Sequence, residues 1–173
     1  MVSNKSRLYI ALYPSGVVGN EERRYHWGFL VGPKAEDKVQ VPGMRYHVKN
    51  HPSYGWVYEE VPLDNIRNSS RLMVRVLIAK VEDEAGLADI FRSIPIVQND
   101  PNWRCRTWVA NALARIEEDG RAVGTSVLDW RRIEAVARQY AGEKTRSGRY
   151  LTAEGIDRPK PTWDMLQDRE TVQ

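Results

Sequence analysis

The sequence predicts an α+β fold, an antiparallel sheet laid down first and helices afterwards, and three observations carry that expectation. Short apolar and aromatic runs separated by Gly, Pro, Asn and Asp fill the first half of the chain. Apolar residues recur at helical spacing in the second half. No helical stretch lies between the early strands, so neighbours in sequence can pair directly and antiparallel. With 173 residues, 42% of them hydrophobic, and six Trp and eight Tyr, one core accommodates the chain. We therefore expect a single domain over residues 1–150, a meander of about five strands followed by about three helices, and an irregular tail over 151–173.

The elements follow in order. Leu8 to Tyr13 is an apolar and aromatic run closed by Pro14-Ser15-Gly16, hence a strand and a turn. Tyr25 to Val31 is bounded by Gly32-Pro33 and reads as a buried strand. Its period of two places His26, Gly28 and Leu30 on one face and Tyr25, Trp27, Phe29 and Val31 on the other, leaving an open patch at Gly28 beside the imidazole. Met44 to Lys49 and Trp56 to Val61 are two further strands around the turn residues Asn50 to Gly55. Leu72 to Val81 is too continuously apolar for a half-exposed strand and belongs at the centre of the sheet.

Asp83 to Ile94 carries Leu87, Ile90 and Phe91 at helical spacing and stops before Pro95. A second helix opens near Cys105, capped by Asp100 or Asn102 with Pro101 at a first helical position, and ends at Gly120. Ser126 caps a third, with Val127, Trp130, Ile133, Val136, Ala137 and Tyr140 on one stripe. The tail holds Pro159, Pro161 and one apolar cluster, Trp163, Met165 and Leu166, which could strap the domain or dock a second copy to form a homo-oligomer.

Composition excludes more than it selects. A net charge of +3 spread along the chain gives no case for nucleic acid, and no run is long and apolar enough for a transmembrane segment. The N-terminus lacks the apolar core of a secretory signal, and one cysteine cannot form an internal disulfide. Both fit a cytoplasmic protein. No Gly-rich phosphate loop and no metal-ligand spacing occurs, so neither a cofactor nor a metal is expected.

Cys105 is the centre of the functional reading. At a helix start the unpaired N–H groups, the positive end of the dipole and the flanking Arg104 and Arg106 all favour a thiolate. The stripe Cys105, Trp108, Val109, Ala112, Leu113 and Ile116 equally suits a small packing residue. A strand histidine followed by a second strand histidine, His26 then His47, and later by a helix-start cysteine resembles the circularly permuted papain-like group. That group contains lecithin-retinol acyltransferase relatives, PPPDE-type isopeptidases and cell-wall endopeptidase-like proteins. The resemblance implies Cys105 as nucleophile, His26 as general base and His47 as the group orienting His26. It spans roughly residues 7–120. The cysteine does not stand in the Asn-Cys-Glu-His setting of the acyltransferases, and no long apolar tail is present, so a lipid substrate is not implied.

His51 is a further candidate for the place of His47, and Asp37 and Glu59 for the orienting role. Tyr25, Trp27, Trp103 and Trp108 are candidate pocket aromatics, and Gln98 or Asn99 a candidate side-chain donor beside the helix-start N–H groups. The expected activity is a thiol-dependent hydrolase or acyltransferase acting on an amide, thioester or ester of a small molecule or peptide. The rival readings are a binding module with an inert cysteine, and a cyclase or transferase in small-molecule synthesis.

Overall fold

A computed structural model describes residues 5–173. Strands β1 (Arg7–Pro14), β2 (Tyr25–Gly32), β3 (Gly43–His51), β4 (Gly55–Leu63) and β5 (Val74–Val81) precede helices α1 (Glu84–Ser93) and α2 (Cys105–Asp119). The chain continues through β6 (Val123–Ser126), α3 (Trp130–Arg146), α4 (Ala153–Asp157), β7 (Thr162–Asp164) and β8 (Arg169–Val172). The α+β class holds, while the sheet departs from the expected architecture in three respects.

It has eight strands, because three short ones after α2 join it. Only β1 to β4 form a meander; β5 crosses back to the open side of β1, giving the order β4-β3-β2-β1-β5-β7-β8 with β6 on β5. The segment expected as an irregular tail is instead part of the fold: Thr162–Asp164 pairs parallel with Arg75–Leu77, and Trp163 packs 5.8 Å from Tyr140. Strands of three and four residues are too short to carry a readable period, and a parallel pairing this far along the chain has no local signal. The third helix also starts later than expected, since Asp129 caps it by accepting from the Arg132 N–H, while Ser126 ends β6.

The two faces of the sheet differ. Leu8, Ile10 and Leu12 of β1 with Trp27 and Phe29 of β2 meet the buried stripes of α1, α2 and α3. Trp108 of α2 is fully buried there against Phe29, Tyr58 and Phe91, and truncating such an aromatic costs about 3–5 kcal/mol. Tyr9, Ala11 and Tyr13 with Leu30 line the opposite face, packed by Ile66, Leu72 and the loop residue Val41. The β2 alternation read from sequence is thus the one observed.

Candidate functional site

Cys105 is the first residue of α2. The approach to it is held by local bonds: Asp100 accepts from the Asn102 N–H at 2.8 Å, and Thr107 Oγ1 accepts from the Arg104 N–H at 3.2 Å. Arg104, extended at φ −150, is the capping residue, and Asp100 serves the turn before it. Asx turns and caps draw on the same residue types, which is why sequence alone misassigned the cap.

The histidines meet on the opposite face. His26 Nε2 and His47 Nδ1 are 2.8 Å apart, and His47 Nε2 lies 3.0 Å from Glu59 Oε2. Register explains the second contact, since His47 and Glu59 are direct partners across β3 and β4. Lys49 closes the row at 2.7 Å from Glu59 Oε1. The patch at Gly28, expected to be open, is taken by His47: a Cβ on Gly28 would stand 3.1 Å from His47 Cβ. Glycine here lets the second imidazole approach the first.

Protonation follows from this row. Lys49 and His47 hold the Glu59 carboxyl below the usual range, so it is an acceptor only. His47 therefore donates from Nε2, which leaves its Nδ1 bare to accept from His26 Nε2–H. His26 is then left with a bare Nδ1, the lone pair a general base needs. Burial, with the neighbouring His47 and Arg45, lowers the His26 pKa to about 3. Burial and Arg45 lower that of His47, against the pull of Glu59. Both rings are neutral near pH 7.

The thiol departs from expectation. Burial pushes its pKa up, and the N–H groups of Trp27 and Arg106 and the Arg106 charge, which favour the thiolate, do not outweigh it. The helix-start argument had the right donors but took the group as solvated, whereas Cys105 is 7% exposed. Strands β2 and β3 are paired only from Phe29 to Val31, so they part beside Trp27, where its N–H meets the sulfur. Cys105, His26 and His47 line one cavity of ≈ 670 Å³. No hydrogen bond links the sulfur to His26 directly.

The other predicted residues separate clearly. Tyr25 lines this cavity. Trp27 packs against Trp130, Trp103 against Trp56, and Trp108 lies in the core, because large aromatics between sheet and helices fill space. Gln98 is not a free donor: its amide donates to the Trp56 carbonyl at 2.7 Å and accepts from the Trp56 N–H at 2.9 Å, pinning the loop before α2 to β4. His51 accepts from the Ser53 N–H in its own turn, and Asp37 is exposed in the loop after β2. Sequence reasoning passed over Arg45, Arg71 and Trp56, which also line the cavity. Among the described residues no group of three His, Cys, Asp or Glu side chains is placed to share a metal ion. None of the described helices is long and apolar enough to cross a membrane.

The model of the family described as "Family of unknown function (DUF6914)" matches residues 5–172, and the chain belongs to that family. No curated protein and no solved structure matches it.

Proposed function

For this member of a family of unknown function we propose thiol-dependent acyl chemistry, hydrolysis or transfer at an amide, thioester or ester, with Cys105 as nucleophile and His26 as base. The observation that carries this reading is the directed row Glu59, His47, His26, which leaves His26 Nδ1 bare while His26 and Cys105 line one cavity. A packing cysteine has no use for such a row. His47 and Glu59 are positioning residues, fixing the tautomer and tilt of His26.

The resting pair is neutral, so the proton moves as the bond forms. Cys105 Sγ attacks the acyl carbon while its proton passes to His26 Nδ1, directly or through one water, and the carbonyl π electrons go to oxygen. The N–H groups at the start of α2 are the donors for that oxygen. Collapse expels the leaving nitrogen, oxygen or sulfur, which takes the proton from His26. The acyl-thioester then accepts water or another nucleophile, whose proton goes to His26 and returns to the departing sulfur.

Alkylation by iodoacetamide from pH 4 to about 11, above the ordinary thiol range, tests the pair. The expected parent profile stays nearly level from pH 4 to 8, since His26 is already neutral there, and rises above pH 9 as the thiol ionises. His26→Ala should remove the level part, lowering the rate at pH 6 by at least about 100-fold and leaving the high-pH rise. A slow parent profile with only the high-pH rise, unchanged by the substitution, sinks the proposal.

A further inference from the structure

Cations crowd this cavity with almost nothing to pair them. Arg23, Arg45, Arg71 and Arg104 all line it, and among the described residues none of the four makes an ion pair. Its one lining carboxylate, Glu22, is taken by Arg106 at 2.6 Å. Three arginines elsewhere show the pairing this cluster lacks: Arg75 on Glu36, Arg92 on Glu60, Arg138 on Glu134. Arg45 Nε and Arg104 Nη1 are buried without an acceptor, and so is the Tyr25 hydroxyl. An unmet buried donor costs about 1–3 kcal/mol, more where it is charged, and a bound acceptor removes that cost.

We propose, building on the acyl-transfer reading, that the substrate is an acyl compound bearing an oxyanion, a carboxylate or phosphate, gripped by Arg45, Arg71 and Arg104 beside the thiol. The placement suits recognition close to the reacting carbon. Arg104 directly precedes Cys105, and Arg45 stands two residues from His47 on the same face of β3, about 7 Å along the strand. Guanidinium forks meet planar or tetrahedral oxyanions with two parallel bonds. Arg71 sits at φ 64, a left-handed backbone that favours glycine, so a side chain is kept where its absence would relieve strain. The volume of ≈ 670 Å³ suits a small molecule or a chain end. Binding also activates: an oxyanion offsets the Arg45 charge that weakens both imidazoles as bases.

The test compares iodoacetate with iodoacetamide at Cys105, each rate divided by that for 2-mercaptoethanol. We expect the normalised ratio to favour iodoacetate by about tenfold at low salt. Arg45→Gln should bring it near unity, Arg45→Gln with Arg71→Gln below unity, and Arg115→Gln on the exposed side of α2 should leave it unchanged. Protection of the thiol from iodoacetamide by glutarate or by methyl phosphate distinguishes a carboxylate from a phosphate. A thiol alkylated readily by both reagents, with no anionic preference and no response to Arg45→Gln, overturns the oxyanion site and leaves the acyl chemistry standing. A thiol inert to both overturns the acyl chemistry instead. Calorimetric titration with glutarate and methyl phosphate then decides the site: uptake lost in Arg45→Gln sustains it, and no uptake of either refutes it.

Discussion

Arg75 and Arg45 lie on the same face of the same sheet, linked through the partners Ala11↔Arg75, Ala11↔Gly28 and Leu30↔Arg45, and the fold treats them in opposite ways. Arg75 is fully buried and complete: Glu36 accepts two bonds at 2.7 and 2.8 Å, Thr162 Oγ1 accepts a third, and the Tyr9 ring lies 4.5 Å beneath the guanidinium. Arg45 is half-buried over Tyr13 with its Nε unmet and no carboxylate in reach. Satisfaction within the chain marks a structural cation. An unmet guanidinium beside a nucleophile marks one kept for a ligand.

The largest break in this comparison is on the structural side. Arg75→Ala takes away both short bonds to the Glu36 carboxylate, leaving it only Arg67 Nε at 3.8 Å, and we expect a loss of about 3–5 kcal/mol in urea unfolding. Arg75→Met combined with Glu36→Leu removes both charges and should recover most of that loss. If the double variant is no better than the single one, packing and not charge is what Arg75 supplies.

Next in size is an acid sensitivity that belongs to the site. The His26 pKa is depressed to about 3 in the fold against about 6.5 when unfolded, so the unfolded chain takes up the proton first as pH falls. The neutral imidazole's contribution is complete above pH 6.5 and is lost progressively on the way down to about 3. Between pH 6.5 and 4 this amounts to about 3 kcal/mol, an effect that His26→Gln should remove from the slope of unfolding free energy against pH. A residual slope of the same sign remains from His47. Parallel slopes for parent and variant would mean that His26 is not buried neutral.

How much of this could be read beforehand follows the range of the signal. The face split of β2 and the helix start at Cys105 are local patterns, and both were readable within a few residues. Glu59 was named only as a candidate to orient His26, although counting the β3–β4 register back from the turn at Pro52-Ser53-Tyr54, where His51 faces Gly55, brings it opposite His47, the ring it contacts. The thiol's environment was not readable, because burial is set by strands that part beside Trp27, an outcome of tertiary packing. The arginine cluster was equally hidden, since Arg23, Arg45, Arg71 and Arg104 come from four separate segments that only the sheet and its loops bring together.

The smallest stability effect sharpens the comparison most. Arg45→Met removes a guanidinium whose Nε has no acceptor and keeps an unbranched apolar stem over Tyr13, so it should change unfolding free energy by less than about 1 kcal/mol, or raise it. Its chemical effect should be plain all the same. Arg45 is one of the charges lowering the His26 and His47 pKa values, so its loss raises both. The low-pH limit of Cys105 alkylation then moves to higher pH, as the base starts to be protonated earlier. A fold left intact with a displaced pH limit separates Arg45 from Arg75, whose loss must appear in stability. If Arg45→Met instead unfolds as readily as Arg75→Ala, both arginines are structural, and the unmet donor is no guide to what the cavity binds.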